Sequence, residues 1–250
     1  MRLELEGKVA LITGSSSGIG LSIAQQLAEE GCHVVLNGRD PERLHAAQTL
    51  IAGASGVVAD VRDAEACQAL VREVLSRHGR LDILVCNVGS GASVPPGQES
   101  PAEWHRVLDT NLHTTTQTVW AAQDSLLSSR GSVICISSIC GIEALGCPVP
   151  YAVAKAAVES YVRKAARWLG RHGVRINSIA PGNILFDGSV WERKLHEDRL
   201  GVEAMLARDV ALGRLGCPDD IARLAAYLAS PLADFITGAT YIVDGGQLRS

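Results

Sequence analysis

Residues 8–20 read Lys-Val-Ala-Leu-Ile-Thr-Gly-Ser-Ser-Ser-Gly-Ile-Gly. The first five residues form an apolar run typical of a buried strand, and a helical apolar pattern starts at Ile19. A strand, a glycine turn and a helix together predict a dinucleotide site, because glycines let the backbone approach the pyrophosphate and the helix N-terminus supplies amides with partial positive charge. The spacing is GxxxGxG rather than GxGxxG, so a glycine-rich connection without a ligand remains the alternative.

The alternation of short apolar runs and helical patterns continues along the whole chain. Strands are predicted at 8–12, 33–37, 56–59, 81–86, 132–137, 174–179 and 240–243. Helices are predicted after the glycine turn, from Pro41, at 64–77, 102–127 and 151–170, and near 218–228. Strands separated by helices predict an α/β fold, a single doubly wound Rossmann-type domain with a seven-stranded parallel sheet and helices on both faces. We expect one domain over residues 1–250.

Composition argues against several classes of function. The net charge is −4 without a basic stripe, which argues against a nucleic-acid partner. The apolar runs are too short to span a membrane, and the acidic N-terminus lacks the apolar segment of a signal peptide. We therefore expect a cytoplasmic protein without a membrane partner.

The cysteines and histidines give no sign of a metal site. The seven cysteines include no CxxC pair and lie mostly in apolar stretches, so buried free thiols are expected. The seven histidines show no ligand spacing with Cys, Asp or Glu. We predict no metal.

Ligands of a doubly wound sheet bind at the carboxyl ends of its strands. After the second predicted strand, Gly38 stands where an NAD-preferring site carries an acid, and Arg39 follows. An arginine at this place accommodates the 2′-phosphate of NADP. NADP(H) is therefore the predicted cofactor, with NAD(H) possible. The alternative is that Arg39 is a solvated loop residue.

Tyr151 and Lys155 lie at the predicted start of a helix, just after Pro150. Proline favours the first helical position, and a spacing of four places the phenol and the ammonium on one helix face. A tyrosine titrates near roughly pH 10, and a cation within about 4–6 Å lowers that pKa. The pair is thus a candidate general acid or base near neutral pH, although the same spacing also occurs on solvated helix faces.

Together these motifs resemble the short-chain dehydrogenase/reductase family over essentially the whole chain, and in particular its 3-oxoacyl-acyl-carrier-protein reductases. The shared motifs are TGxxxGIG at 13–20, Asp60-Val61, Asn111, Ser138, YxxxK at 151–155 and Pro181-Gly182. Ser138 precedes Tyr151 by 13 residues, which is the interval usual in the family.

The resemblance implies a catalytic set of Asn111, Ser138, Tyr151 and Lys155. Tyr151 would exchange the proton with the substrate oxygen, and Lys155 would lower the pKa of Tyr151 and hold the nicotinamide ribose. Ser138 would donate a hydrogen bond to the carbonyl oxygen as negative charge develops there. Asn111 would kink its helix and anchor a water that links Lys155 to solvent. Ser137 is the alternative to Ser138 if the strand register differs, and Asn111 could instead only bend its helix.

The resemblance also implies a set of cofactor-binding residues. They are Gly14, Ser16, Ser17, Gly18, Ile19, Gly20, Arg39, Asp60, Val61, Asn87, Gly89, Tyr151, Lys155, Pro181, Gly182 and Ile184. Asp60 is alternatively an acid that ends a strand at a turn. The chain departs from the family in two places. Cys86 replaces the first asparagine of Asn-Asn-Ala-Gly, and a threonine beyond Pro181-Gly182 is absent, so backbone groups near Ile184 are expected to replace it.

Two segments are expected to border the substrate. Residues 185–215 resemble the variable lid of the family, with Trp191 and Leu195 on the apolar side of a charged helix. Arg193 or Lys194 could bind an anionic substrate, but a solvated charged face is the alternative. The loop at 89–97 is expected to form another edge of the pocket.

The expected function is an NADP(H)-dependent oxidoreductase that interconverts a ketone and a secondary alcohol, acting as a carbonyl reductase. A 3-oxoacyl thioester, a sugar or polyol, and a biosynthetic ketone are candidate substrates. The competing hypothesis is a catalytically silent regulator or scaffold of the same fold, although such a module has no reason to keep the three catalytic side chains. The resemblance further implies a homotetramer assembled through the helices at 102–127 and 151–170 and the last strand.

Overall fold

The computed structural model describes residues 2–249, and its centre is a sheet of seven parallel strands. The strands are β1 (Val9–Ile12), β2 (His33–Gly38), β3 (Ser55–Val58), β4 (Ile83–Cys86), β5 (Ser132–Ile136), β6 (Arg175–Pro181) and β7 (Thr240–Val243). Their order in the sheet is β3-β2-β1-β4-β5-β6-β7. This topology confirms the predicted α/β fold with a doubly wound, seven-stranded parallel sheet.

Helices connect the strands. They are α1 (Gly18–Glu29), α2 (Pro41–Thr49), α3 (Ala64–His78), α4 (Pro101–Leu108), α5 (Thr114–Ser129), α6 (Val149–Leu169), α7 (Val190–Glu197), α8 (Arg199–Asp209) and α9 (Pro218–Ala229). Short 3-10 turns lie at Ile139–Gly141, Gly170–His172 and Pro231–Ala233. The Asp40 carboxylate accepts hydrogen bonds from the amides of Glu42 and Arg43, as expected of an N-cap.

The central strands are buried on both faces of the sheet, whereas the edge strands β3 and β7 are partly exposed. Ala10 and Ile12 pack in one core layer with α1, α2 and α9, whereas Val9 and Leu11 pack in the other layer with α3, α5 and α6. Successive strand residues point to opposite faces. Because both faces are covered by helices, the strand sequences are continuous apolar runs rather than alternating ones.

The predicted helix at 102–127 is divided in the structure. Helix α4 ends at Leu108, a π-helical turn covers Asp109–His113, and α5 begins at Thr114. The side-chain amide of Asn111 donates a 3.1 Å hydrogen bond to the Val107 carbonyl. A side chain that enters the backbone hydrogen-bond ladder is a recognised cause of such an irregularity. A second, smaller difference is that α6 begins at Val149, so Pro150 is its second residue rather than its first.

The expectation of buried free thiols is wrong for three cysteines. Cys140 and Cys147 form a disulfide, and Cys217 is free but exposed. The loop between β5 and α6 turns back on itself and brings the Cα atoms of Cys140 and Cys147 to 6.1 Å. Sequence spacing does not encode this approach. The four remaining cysteines are free and buried, as expected.

Residues 2–249 contain neither a membrane-spanning helix nor a cluster of metal-ligating side chains. No helix in this range combines the length and the apolar composition needed to cross a bilayer. Within the same range, no three or more His, Cys, Asp and Glu side chains are grouped in a way that could hold a metal ion.

Candidate active site

Side chains from two strand ends hold the glycine turn after β1. The Thr13 hydroxyl donates to the Val85 carbonyl (3.2 Å) and accepts from the Asn87 amide (3.0 Å). The side chain of Asn87 in turn donates to the carbonyls of Thr13 (3.1 Å) and Gly14 (3.0 Å). Asn87 therefore fixes the shape of the turn from the neighbouring strand, and the replacement of the adjacent family asparagine by Cys86 leaves these bonds intact.

The same turn leaves no room for side chains but keeps helix amides available. A Cβ on Gly20 would lie 2.5 Å from the Asn87 side-chain nitrogen, and a Cβ on Gly14 would lie 2.9 Å from Val88. Ser17 is the N-cap of α1 and makes no side-chain capping bond. Amides in the first turn of α1 are thus free to bind an anion, and close backbone approach is possible. The turn fits the pyrophosphate of a dinucleotide.

A cavity of about 970 Å³ opens along this carboxyl edge of the sheet. Among the predicted site residues, those that line it are Gly14, Ser17, Ile19, Asn87, Gly89, Ser138, Tyr151, Lys155, Pro181, Gly182 and Ile184. Those that do not line it are Ser16, Gly18, Gly20, Arg39, Asp60, Val61 and Asn111. The cavity is at the upper end of the size range of small-molecule sites, about 300–1,000 Å³.

The region beyond the glycine turn carries Arg39 and Asp60. Arg39 is exposed directly after β2, and Gly38 faces Ser16, whose hydroxyl oxygen would lie 3.5 Å from a Cβ at position 38. A hydrogen bond from the Arg62 guanidinium holds the pKa of Asp60 below its usual value, with a smaller contribution from the charge of Arg39. Asp60 therefore already has a partner within the protein, as the turn-acid interpretation expects. Its contact with adenine stays a prediction.

Asn37 is a buried residue that the sequence reasoning missed. Its side-chain amide donates to the carbonyls of Val57 (3.2 Å) and Ala59 (3.1 Å), and its Oδ1 accepts from the Gly14 amide (3.4 Å). Asn37 therefore connects the end of β3 to the glycine turn. An asparagine near the end of an otherwise apolar strand is a usable signal, because a buried polar side chain needs partners.

Ser138 and Ser137 point to opposite sides after β5. The Ser138 hydroxyl is close enough to the Tyr151 phenol to lower its pKa, and it accepts a hydrogen bond from the Cys140 amide at 3.2 Å. The Ser137 hydroxyl instead donates to the Glu159 carboxylate at 2.6 Å. This divergence follows from the alternation of an extended backbone. The neighbour of Tyr151 is therefore Ser138.

Burial governs the titration of Tyr151 and Lys155. Burial raises the pKa of Tyr151, and the neighbouring Ser138 hydroxyl lowers it in part. Burial lowers the pKa of Lys155 to about 8, and the electrostatic effects of Cys135 and Glu159 act in the opposite direction. The Lys155 ammonium lies 5.9 Å from the centre of the Tyr151 ring and donates a 2.8 Å hydrogen bond to the Ile136 carbonyl. The pKa of Tyr151 is therefore raised rather than lowered as expected, and the group that opposes burial is Ser138 rather than Lys155.

Asn111 reaches the site through the loop after β4. Its side chain accepts from the Ser90 amide (2.9 Å) and donates to the Ser90 carbonyl (3.0 Å). A Cβ on Gly89 would lie 2.9 Å from Asn111 Oδ1 and 2.9 Å from Lys155 Nζ. Asn111 and Lys155 are therefore neighbours across Gly89. Asn111 therefore bends its helix and also holds the loop at Ser90, while its role as the anchor of a water stays a prediction.

Ile184 forms a parallel bridge with Gly216 beyond β6. The Gly216 amide donates to the Asn183 carbonyl (2.9 Å), and the Leu185 amide donates to the Gly216 carbonyl (2.8 Å). In a parallel bridge the hydrogen bonds are made by the backbone groups of the residues before and after the central one. The amide and carbonyl of Ile184 itself therefore point away from Gly216. Ile184 lines the cavity, and the replacement of the absent threonine by its backbone stays a prediction.

The segment after β6 folds as two helices. Trp191 and Leu195 of α7 pack against the small apolar cluster of α8, as the amphipathic pattern predicts. The Lys194 ammonium lies 4.4 Å from the centre of the Trp191 ring and lines the cavity. Arg193 pairs with Glu197 at 3.7 Å on the exposed face. Of the two predicted cations, only Lys194 is near the cavity.

Two further parts of the cavity wall were not anticipated. The Phe186 ring packs on Gly18, where an added Cβ would lie 2.6 Å from the ring. The loop at 139–148, which contains the disulfide, forms much of another wall. Phe186 lies at the start of the segment expected to form the lid. Its position over the glycine turn could not be predicted, because no local pattern distinguishes an aromatic residue that covers such a turn from one that enters a core.

Comparisons with known proteins agree with this geometry. The family model described as Enoyl-(Acyl carrier protein) reductase matches residues 14–247. The chain is 38% identical over 248 residues to 3-oxoacyl-[acyl-carrier-protein] reductase FabG of Staphylococcus aureus, covering 96% of this chain and 98% of the relative. It is 34% identical over 253 residues to Dehydrogenase/reductase SDR family member 4 of Mus musculus, covering 98% and 88%. The crystal structure of L-sorbose reductase from Gluconobacter frateurii, complexed with NADPH and L-sorbose, superposes with a TM-score of 0.93 at 31% identity and full coverage of both chains.

Proposed function

Since the chain belongs to the short-chain dehydrogenase/reductase family, we propose that it is an NADP(H)-dependent carbonyl reductase interconverting a ketone and a secondary alcohol. The observation that carries the proposal is the convergence of Ser138, Tyr151 and Lys155 on one cavity beside the glycine turn. A binding module that turns nothing over would need the turn but not this group of side chains.

Tyr151 and Ser138 act on the carbonyl oxygen. When bound, the nicotinamide supplies the hydride that reduces the carbonyl carbon. Tyr151 donates a proton to the oxygen, and Ser138 donates a hydrogen bond to it while negative charge develops. The raised pKa of Tyr151 keeps the phenol protonated at neutral pH, which suits donation in the direction of reduction.

Lys155 and Asn111 support this pair. Lys155 uses one donor on the Ile136 carbonyl, and its remaining donors are proposed to hold the nicotinamide ribose. Its positive charge stabilises the phenolate left after proton transfer. Asn111 is proposed to position Gly89 and Ser90 next to Lys155, and to anchor a water on the route from Lys155 to solvent.

The predicted cofactor residues fall into two groups in this proposal. The glycine turn and α1 bind the pyrophosphate, while Asn87, Gly89, Pro181, Gly182 and the backbone of Ile184 border the nicotinamide half. Arg39 binds the 2′-phosphate beside Ser16, with no acid at position 38 to repel it. NADPH in the L-sorbose reductase structure supports this choice, and NAD(H) remains a possible second cofactor.

The segment at 185–215 is proposed to be a substrate lid on a single catalytic domain. Phe186, Trp191 and Lys194 all line the cavity from this segment. The names of the relatives suggest two substrate classes to test first, a 3-oxoacyl thioester and a ketose.

A homotetramer is proposed as the assembly. Large apolar side chains are exposed on the elements expected to form the interfaces, namely Trp120 of α5, Val153 and Trp168 of α6, and Ile242 of β7. An exposed apolar surface of this kind is typical of a protein interface. Light scattering of the purified protein should give four times the chain mass, and a monomer would contradict the proposal.

Spectrophotometry of NADPH oxidation tests the function. The carbonyl panel should include acetoacetyl coenzyme A, L-sorbose and a cyclic diketone. Tyr151→Phe is the catalytic variant. Its control is Tyr227→Phe, because Tyr227 does not line the cavity. We expect turnover of at least one carbonyl, a loss of about 100-fold or more in Tyr151→Phe, from the loss of general acid catalysis, and little change in Tyr227→Phe. NADPH binding without turnover of any carbonyl would favour the silent regulator.

A further inference from the structure

The loop at 139–148 occupies the chain between Ser138 and Tyr151. Cys140, Glu143, Leu145 and Cys147 all line the cavity. The lid helix α7 lines the same cavity with Trp191 and Lys194, so the loop and the lid both border the space for a substrate.

The two halves of this loop are held differently. In the first half, the Ile139 carbonyl accepts from the amides of Ile142 (3.0 Å) and Glu143 (3.1 Å). Gly141 lies so close to α6 that a Cβ would be 2.7 Å from the Ala156 amide nitrogen. The first half is therefore a hydrogen-bonded turn seated on a helix.

The second half depends on the disulfide. The Leu145 amide donates to the Glu143 carbonyl (3.0 Å), and the Pro148 carbonyl accepts from Ala152 where α6 begins. Between these two bonds, Cys147 is joined covalently to Cys140 in the anchored half. Their Cα separation of 6.1 Å lies within the usual disulfide range of about 4.4–6.8 Å.

The disulfide also begins next to the reacting groups. The Cys140 amide donates to the hydroxyl of Ser138, the neighbour of Tyr151 in the cavity. In the middle of the loop, the Glu143 carboxylate accepts from the Arg249 amide (3.2 Å), which connects the loop to the C-terminal segment. The glycine turn, held by Thr13 and Asn87, shares none of these contacts.

The cysteine pair is accessible. Cys140 and Cys147 are both partly exposed and line the open cavity, whereas Cys32, Cys67, Cys86 and Cys135 are buried. Cys217 is exposed but lies before α9, outside this cavity, and is a natural control.

We propose that the Cys140–Cys147 disulfide fixes the wall against which the carbonyl substrate is positioned, so that substrate affinity depends on the redox state of this pair. The inference rests on the proposed function. A dithiol reductant supplies two electrons and two protons, the S–S bond breaks, two protein thiols form, and the reductant becomes its own disulfide. The second half of the loop is then released, while the cofactor turn keeps its contacts.

The test compares protein with the bond intact and broken. Alkylation of the unreduced, denatured protein followed by mass spectrometry should label five cysteines, the number that are free in the structure. KM is then measured for the best carbonyl of the panel. It should be at least threefold higher than in unreduced wild type, both in wild type reduced with a dithiol and in the double variant Cys140→Ser/Cys147→Ser. The Kd for NADPH, from its fluorescence, should change less than twofold, and Cys217→Ser should match wild type.

A protease provides a readout independent of turnover. Glutamyl endopeptidase should cleave after Glu143 several-fold faster once the wild-type bond is reduced, because the loop is released. Labelling of all seven cysteines without reduction, or an unchanged KM on breaking the bond, overturns the proposal. If no carbonyl is turned over, the proposed function is wrong but the role of the disulfide is still tested by proteolysis. Equal cleavage after Glu143 before and after reduction overturns that role.

Discussion

The Ser137 hydroxyl donates a 2.6 Å hydrogen bond to the carboxylate of Glu159, which lies one helical turn beyond Lys155 on α6. Both side chains are buried. Burial raises the pKa of Glu159, while the bond from Ser137 and the charges of Arg163 and Lys155 lower it in part. Phenol, ammonium and carboxylate thus follow one another at intervals of four along α6. Ser137 supports this buried group, and Ser138 faces the substrate side.

The two serines should therefore respond differently to substitution. Ser138→Ala should lower kcat by about 100-fold or more, as is typical of a lost donor to a developing oxyanion, with little change in stability. Ser137→Ala should lower the free energy of unfolding by about 1–3 kcal/mol, because Glu159 loses its partner while buried. Steady-state kinetics and urea denaturation measure the two effects. A larger loss of kcat in Ser137→Ala would contradict the assignment.

Gly89 and Gly91 form a matched pair in the loop after β4. Gly89→Ala should lower kcat/KM at least tenfold, because its Cβ would lie 2.9 Å from both Asn111 Oδ1 and Lys155 Nζ and must displace one of them. Gly91→Ala meets no heavy atom within 4 Å and should stay within about twofold of wild type. Kinetics and thermal unfolding of both variants make the comparison. Equal behaviour of the two variants would show that crowding at Gly89 does not matter.

Stability should depend on pH through Lys155. Its pKa is about 8 in the folded protein against the ordinary value of 10.5, so between these values the unfolded chain binds more protons and stability rises with pH. The cost of burying the charge is fully present below pH 8 and is relieved by pH 10.5. Lys155→Met removes this cost and so lacks the rise in stability. The free energy of unfolding of the variant minus that of wild type should therefore fall by up to about 3 kcal/mol as the pH is raised from 8 to 10.5.

The control for that measurement is Lys164→Met, which changes an exposed lysine on the same helix. Urea denaturation at several pH values between 7 and 10.5 compares the three proteins. The same pH dependence in both variants would show that burial of Lys155 is not the cause.

Arg39 should decide between the two nicotinamide cofactors. Arg39→Ala should weaken NADPH binding about tenfold or more, since a charged hydrogen bond contributes about 1.5–3 kcal/mol, and should leave NADH binding almost unchanged. Arg43→Ala, an exposed arginine on α2, is the matched control. Thermal shifts with each cofactor at equal concentration report the difference. An NADPH shift that survives Arg39→Ala would exclude the assigned role.

Local sequence patterns were sufficient for the architecture. Most strands are apolar runs and most helices have a periodic apolar pattern, so the order of these elements and the parallel sheet followed from the chain without knowledge of distant contacts. The glycine turn and the Tyr151–Lys155 spacing were visible as local patterns, whereas Ser138 was assigned through the family resemblance and its 13-residue interval to Tyr151.

Tertiary structure decided the features that depend on residues far apart in the chain. The Asn37 side chain meets the carbonyls of Val57 and Ala59, and Asn111 meets Lys155 across Gly89, only because the strand ends converge. The Cys140–Cys147 bond depends on how the loop folds back upon α6. Burial likewise set the pKa of Tyr151, because the desolvation of a phenol depends on everything packed around it and not on the lysine four residues away.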